Sequence, residues 1–375
     1  MSHSTLGTPG ARPTRPFPAE EYASRLRRLA KSVRARKLDA LLLAQPGHRL
    51  YFTGLPASNG LLWVRPAGRA VFFTDFRYLE AAEQQLSFLR VETIAPASTQ
   101  LAPIARRERW RRVGYEGAMT VSAWESYRAA LPGVKEWVCA DEMIFGQRMV
   151  KSPREQSAIR AAQRANERIF NAFMAAVRPG MTEWELRRMM RALMDEHSQG
   201  EAFDSILATG PNSSRCHHHP GMRRLGRHDI LLADHGCLVQ SYRSDMTRVA
   251  HTGRPSRKFL DIYRITREAQ ERAIAAIRPG VPCKDVDAVA RDHIAAAGYG
   301  AYFGHGLGHG VGMDIHERPS FSARDETRLE PGHVMTVEPG IYLPDFGGVR
   351  IEDMVVVTPR GCDVLTRVSR DLVRL

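Results

Sequence analysis

Two glutamates stand inside runs that otherwise read as apolar β-strands, and they constrain the fold more than any other feature of the chain. Glu338 lies in Val334-Met-Thr-Val-Glu338-Pro-Gly-Ile-Tyr342, and Glu352 in Val349-Arg-Ile-Glu352-Asp-Met-Val-Val-Val357. A carboxylate buried in such a strand costs several kcal/mol unless a partner or a metal compensates it. Just upstream runs Gly304-His-Gly-Leu-Gly-His309-Gly-Val-Gly-Met-Asp-Ile-His316. Its alternating glycines let the backbone come close to a ligand or a neighbouring strand. No G-x-G-x-x-G spacing can be drawn through them, which excludes the dinucleotide fingerprint here.

Further acids lie upstream. Ile230-Leu-Leu-Ala-Asp234 and Ser244-Asp245-Met-Thr-Arg-Val249 read as two short strands, with Asp234 ending the first and Asp245 preceding the second. Aspartate is depleted from strands, and either one alone fits a turn cap. Together, Asp234, Asp245, His309, Glu338 and Glu352 supply four carboxylates and one imidazole. Four crowded carboxylates would repel and take up protons. Two divalent cations would balance them, and that is the composition of a two-metal hydrolytic site.

With these motifs the chain resembles the proline-handling metallopeptidases of the pita-bread fold: aminopeptidase P, prolidase and methionine aminopeptidase, the first two above all. The resemblance rests on Asp234-x-Gly, Ser244-Asp-Met-Thr-Arg248, Gly308-His-Gly-Val-Gly312, Ile315-His-Glu317, Val337-Glu-Pro-Gly-Ile-Tyr342 and Gly347-Gly-Val-Arg-Ile-Glu-Asp353. Ser205-Ile-Leu-Ala-Thr-Gly-Pro-Asn-Ser213 followed by His217 extends it, and Tyr51-Phe-Thr-Gly54 and Thr74-Asp-Phe-Arg-Tyr78 are similar to the family's cap domain.

The resemblance implies an α/β N-terminal cap domain and an α+β pita-bread catalytic domain with an internal pseudo-twofold. It implies metal ligation by Asp234, Asp245, His309, Glu338 and Glu352. Carboxylate-rich coordination favours two Mn(II) ions, with Co(II), Fe(II) or Zn(II) as alternatives. Glu338 is expected to move the proton, and His217 and His316 to stabilise the reacting centre. His305 and His316 are expected to line the substrate pocket, and Arg350 to orient a carboxylate. The implied substrate is a peptide cut at Xaa-Pro at its N-terminus, and the implied assembly is a homodimer. Alternatives are an Xaa-Pro dipeptidase or an inactive binding module of the same fold. Prolidases often carry an arginine shortly after the second histidine. Here Ser320 stands four residues after His316 and Arg318 two after it, which weighs toward the aminopeptidase.

Length and composition allow two domains, with residues 19–148 and 153–375 as the expected spans. Residues 1–18, rich in Pro, Thr, Ser and Arg, lack the apolar centre of a secretory signal and read as a disordered tail. Five scattered cysteines without a C-x-x-C pair fit a reducing cytoplasm. No apolar run is long enough to cross a membrane. The formal charge of +13 is spread along the chain without a nucleic-acid-binding signature, so it reads as an arginine-rich surface with weak polyanion binding at most.

In the first half, strands expected at Leu38–Ala44, Gly60–Val64, Ala70–Thr74, Leu89–Ile94 and Val113–Glu116 alternate with helices at Glu20–Lys37, Tyr78–Leu86 and Ala123–Leu131. Asp75 and Arg77 read as a structural ion pair or turn. In the second half, Ser152-Pro153 with Glu155 and Thr182 with Glu185 are helix starts. Ala176-Val-Arg-Pro-Gly-Met181 and Ala276-Ile-Arg-Pro-Gly-Val281 repeat one phrase between two helices, so this half reads as two related units. Asp234 and Asp245 fall in the first unit, and His309, Glu338 and Glu352 in the second.

Overall fold

Tyr22, Leu26, Leu29 and Val33 recur at helical spacing, and all four are buried on one face of α1 (Ala19–Ala35). The structure is a computed structural model that describes residues 15–375. Most of the expected tail, residues 1–14, lies outside the described residues. Of its last four, Phe17 is buried, with its ring 6.2 Å from that of Tyr22. The chain divides after Gln147 into two units.

The first unit is built on one sheet of β1 (Ala40–Leu43), β2 (Leu61–Val64), β3 (Ala70–Thr74), β4 (Arg90–Thr93), β5 (Arg112–Tyr115) and β6 (Glu136–Cys139), in the order β4-β3-β2-β1-β5-β6. Only β2 runs antiparallel to its neighbours. The helices α2 (Pro46–Thr53), α3 (Phe76–Gln85), α4 (Ala97–Arg107), α5 (Val121–Ala130) and α6 (Asp141–Met149) connect or follow the strands. Asp75 caps α3 by accepting the Arg77 amide hydrogen, and it pairs with the Arg77 guanidinium at 2.7 Å. The structural reading of those two residues therefore stands.

The second unit opens on α7 (Pro153–Ala176) and α8 (Glu183–His197), each started by a complete capping box, Ser152 with Glu155 and Thr182 with Glu185. The strands β7 (Ile206–Thr209), β8 (Ile230–His235), β9 (Leu238–Val239), β10 (Tyr242–Arg243) and β11 (Met246–His251) follow. A second helix pair is α9 (Arg257–Ala276) and α10 (Cys283–Ala296). After it come β12 (Gly308–Gly310), β13 (Glu317–Phe321), β14 (Val334–Val337), β15 (Gly340–Leu343), β16 (Gly347–Arg350), β17 (Asp353–Thr358), β18 (Gly361–Val364) and β19 (Val373–Arg374). One sheet has the order β19-β11-β8-β7 and another β13-β12-β14-β17-β18, while β15 and β16 form a hairpin.

The repeated Arg-Pro-Gly phrase makes the same turn twice. Gly180 (φ +96°) donates its amide hydrogen to Leu225 O at 2.7 Å, and Gly280 (φ +85°) donates to Leu329 O at 2.8 Å. Both turns need a left-handed residue, which glycine supplies without steric cost. Each is followed by a bridge, Thr182 with Arg224 and Pro282 with Arg328. Each helix pair has its own core. Ile169, Phe173, Leu186 and Met190 pack with Leu207 and Leu231, and Ile262, Val286 and Ile294 pack with Met335, Val337 and Val355. A fully buried side chain of this kind contributes ~1.5–3 kcal/mol, so each half carries stability of its own and can hold its acids rigidly.

Candidate metal centre

The pairing of strands brings the acids together. Val337 at the end of β14 lies opposite Asp353 at the start of β17. Glu338 follows the first of these residues and Glu352 precedes the second, so both leave the sheet at one edge. His309 sits on β12, which pairs with β14 through Gly310 and Met335. That approach has no room for a side chain at the preceding position: a Cβ on Gly308 would meet Thr336 O at 2.1 Å. On the first sheet, Asp234 lies opposite Thr247 in the β8–β11 ladder, and Asp245 comes just before β11.

The two sheets meet along β11. Glu352 donates its amide hydrogen to Thr247 O at 3.2 Å, and Arg248 Nη1 donates to Glu352 O at 2.6 Å. Arg248 also pairs with Asp353 at 2.7 Å, with both side chains buried. Asp245, His309 and Glu352 thereby present ligand atoms that all lie within 4.8 Å of one another. His309 Nε2 is 3.6 Å from Asp245 Oδ2 and 3.3 Å from Glu338 Oε1. Asp234 joins them through Arg350, whose Nη2 donates to Asp234 Oδ2.

Arg350 is the hub of a buried network. Its Nε donates to Thr247 Oγ1 at 3.1 Å, and Thr247 Oγ1 in turn donates to Glu352 Oε2 at 2.7 Å. Its Nη1 donates to Tyr342 Oη at 2.9 Å, and that hydroxyl lies 2.9 Å from His305 Nε2. Thr336 plays a similar part on the other side, accepting from the His309 amide at 3.0 Å and donating to Glu338 Oε1 at 3.2 Å. The sequence marked Arg350 as a residue expected to orient a carboxylate, and here it donates to Asp234 through Nη2 alone while Nε and Nη1 go to Thr247 and Tyr342. Thr247, Thr336 and Tyr342 were not singled out. The one local signal is that Thr336 stands two residues before Glu338, on the same side of an extended chain.

The protein's own charges leave these acids under strain. Burial, then Glu352 and Asp234, push Asp245 well above the usual carboxylate range. Burial and Glu338 do the same to Glu352, and burial raises Asp234 despite Arg350. Glu338 goes the other way: burial opposes ionisation, but the hydrogen bond with His309 holds it low. Asp234 Oδ1 and Asp245 Oδ1 are buried without a hydrogen-bond partner. Orphaned carboxylate oxygens beside mutually repelling acids fit hard divalent cations.

These residues line a cavity of about 780 Å³, whose wall also includes His217, His305, His316, Ser320, Trp184 and Phe203. The His309 and His316 rings meet edge to face, 4.4 Å between centroids. His305 and His316 are held below the ordinary histidine range, chiefly by burial. Every site residue expected from sequence therefore faces this one cavity. Arg318 does not line it; the cations on its wall are Arg187 and Arg350. Arg187 pairs with Asp204 at 2.7 Å and Glu201 at 3.3 Å.

The pattern of metallopeptidase family M24 matches residues 157–359, and that of the creatinase/prolidase N-terminal domain matches residues 25–150. The chain is 35% identical to the Xaa-Pro dipeptidase of Pyrococcus furiosus, over 93% of this chain and 99% of that one. It superposes on the structure of an Xaa-Pro dipeptidase from Bacillus anthracis with a TM-score of 0.89 and 32% identity, covering 96% of this chain and all of that one. An X-Pro aminopeptidase from Thermotoga maritima superposes with a TM-score of 0.85 and 32% identity, covering 92% of this chain and 100% of that one. With an α/β cap domain, a duplicated catalytic unit and a carboxylate–histidine centre between its halves, the chain belongs to metallopeptidase family M24, among the pita-bread enzymes of the aminopeptidase P and prolidase type.

Proposed function

We propose that this metallopeptidase hydrolyses the peptide bond on the amino side of proline, and that free Xaa-Pro dipeptides are its preferred substrates. The observation that carries the reading is the convergence of Asp245, His309 and Glu352 within 4.8 Å, in a chain similar along nearly its whole length to proteins named as Xaa-Pro dipeptidases. Asp234, Asp245, His309, Glu338 and Glu352 would hold two divalent ions, with Mn(II) the favoured metal for so many carboxylates. Bound there, the ions supply Lewis acidity toward a carbonyl and toward water.

The chain's own groups do the rest. Glu338, with Oε1 3.3 Å from His309 Nε2, takes and returns the proton. His217 and His316 on the cavity wall donate hydrogen bonds where charge develops on the scissile carbonyl oxygen. His305, held by Tyr342, faces the substrate. Arg350 fixes the angle of Asp234 so that its other oxygen stays available. The five cysteines are free thiols, which is consistent with the cytoplasm as the working compartment. A homodimer is the expected assembly, by family resemblance.

Removal of the first residue from longer Xaa-Pro-Yaa peptides is the second reading. The cavity of about 780 Å³ favours it, because that is toward the upper end of small-ligand sites, as does the likeness to the Thermotoga protein. The weight of Ser320 toward this reading is offset by the relatives named as dipeptidases. The deciding experiment strips the protein of metal, restores Mn(II), and compares Xaa-Pro, Xaa-Pro-Yaa and Xaa-Ala. Metal-restored cleavage of Xaa-Pro ahead of the other two is expected. Cleavage that survives chelation, or that ignores proline, overturns the proposal.

A further inference from the structure

We infer that Glu183 is a positioning residue for His217, acting through the loop that joins β7 to β8. The inference rests on the proposed role of His217 at the scissile carbonyl. Glu183 is the first residue of α8, and its side chain is fully buried. A buried carboxylate demands donors, and this one has five. Oε1 accepts from Thr209 N at 2.8 Å, Thr209 Oγ1 at 2.9 Å and Asn212 Nδ2 at 2.9 Å. Oε2 lies 2.8 Å from His218 Nε2 and accepts from Gly221 N at 3.0 Å. The two oxygens thus divide the work. One gathers the start of the segment from Thr209 to Gly221 and the other gathers its end, with His217 between them.

The backbone of α8 completes the clamp, since Glu183 N donates to Arg223 O and Trp184 N to Gly221 O, each at 3.0 Å. The far side of the segment is tied to the second half of the unit. Ser213 Oγ accepts from Gly348 N at 2.8 Å, and Arg350 Nη1 reaches Cys216 O at 3.4 Å. His217 is therefore suspended between one buried acid and the strand that carries Arg350. No hydrogen bond joins His217 to either residue.

The second half repeats the device with different residues. On α10, Asp287 is buried, accepts from Leu307 N at 3.0 Å and pairs with Arg291 at 2.8 Å. Arg291 donates to Phe303 O at 3.0 Å and His305 O at 2.8 Å. In each half, then, the helix after the Arg-Pro-Gly turn carries a buried acid that pins a histidine-bearing segment of the cavity wall. Each acid gathers donors from one wall segment, and those donors would be stranded in the interior without it.

The test compares the wild-type chain with Glu183→Gln, which keeps the shape but turns one acceptor into a donor facing Gly221 N–H. On Xaa-Pro with Mn(II), kcat should fall by about 10–100-fold, the cost of a catalytic group displaced by an ångström or less. KM and bound metal should stay within about threefold of wild type. In metal-free, ¹⁵N-histidine-labelled protein, the His217 imidazole signals should shift or broaden, with assignment by His217→Gln. His218→Leu, which releases only the far end of the segment, should give the same changes in smaller measure and serves if Glu183→Gln does not fold. A wild-type kcat with unmoved His217 signals overturns the inference, and so does a loss of activity that merely follows loss of metal. Failure of the wild-type chain to cut Xaa-Pro would overturn the proposed function instead, and the histidine spectra would still decide the positioning role.

Discussion

Arg350 and Asp234 form a buried ion pair in which one carboxylate oxygen accepts from the guanidinium and the other has no hydrogen-bond partner. The same guanidinium reaches Thr247 and Tyr342, so one side chain sets the geometry of an acid and of the groups around it. Arg350→Met should lower metal affinity by about 10–100-fold, as expected when the partner that orients a ligand is lost. Arg350→Lys should recover little of it, since a point charge cannot reproduce the fork. Titration against a competing chelator measures both. Unchanged affinity in the Met variant would refute the orienting role.

The crowded acids make a less intuitive expectation. Asp245 is pushed well above the usual carboxylate range by burial and then by Glu352 and Asp234, and Glu352 by burial and then by Glu338 and Asp234. In the metal-free chain the folded state therefore holds protons that the unfolded state releases. Stability should fall as pH rises from the ordinary carboxylate value through the raised ones. Asp245→Asn or Glu352→Gln should thus melt higher than wild type in chelator at neutral pH. Both should lose activity and the stabilisation conferred by Mn(II), which for wild type is ~2.7 kcal/mol at a hundredfold excess over Kd. Thermal melts with chelator and with Mn(II) measure each effect. Variants that melt below wild type in chelator would contradict the repulsion argument.

Glu317 behaves in the opposite sense. Burial works against its ionisation, yet Lys151 at 3.1 Å and Arg148 at 2.5 Å hold it down to about 2. A depressed carboxylate stabilises the fold above its unfolded value, ~4.3, and that contribution is lost as pH falls toward about 2. Glu317→Gln should flatten the acid limb of the stability curve over that window. It should also cost ~3–5 kcal/mol at neutral pH by removing the buried acid that Lys151 and Arg148 share, although Arg148 keeps its pair with Asp314 at 2.7 Å. Denaturant melts from pH 2 to 7 would read this out, and an unaltered acid limb would rule it out.

The arginine that sequence spacing offers to a free substrate carboxylate is Arg318, but the cavity wall carries Arg187 instead. If dipeptides are preferred, Arg187 is the cation placed to receive the free carboxylate, once Asp204 yields. Arg187→Ala should then raise KM for Xaa-Pro by about tenfold or more, the worth of a hydrogen bond to a charged group. Cleavage of Xaa-Pro-amide should scarcely change, and Arg318→Ala should alter neither by more than about twofold. Equal sensitivity of acid and amide substrates to Arg187→Ala would move the assignment to the longer-peptide reading.

Much of this was legible because a charge inside an apolar strand is locally anomalous. Glu338, Glu352 and Asp234 betray themselves within a few residues of sequence, and the Arg-Pro-Gly phrases reveal the duplication. The supporting network is silent in sequence, since its partners are far apart. Glu352 and Thr247 are 105 residues apart, and Arg350 and Asp234 are 116. A threonine in a strand is ordinary, so Thr247 and Thr336 give no signal until the sheets are paired. Glu183 was hidden for another reason: an acid in the first turn of a helix is the commonest of residues there. The helix α2 starts with Pro46 and Gly47, which look like a turn, and so gives no helix signal, whereas α5 answers to the helix expected at Ala123–Leu131 although it buries none of its residues.

The split of the proposed ligands between the two sheets has a consequence for how the catalytic unit is held shut. Asp234 and Asp245 belong to one half of the catalytic unit, and His309, Glu338 and Glu352 to the other, along a seam crossed by Arg248 and Arg350. Without cations, acids would repel acids across that seam; with cations bound as proposed, the same acids would become its rivets. Metal supply would then set how tightly the halves close. Amide exchange at the ends of β11 and β17 should slow when Mn(II) is added.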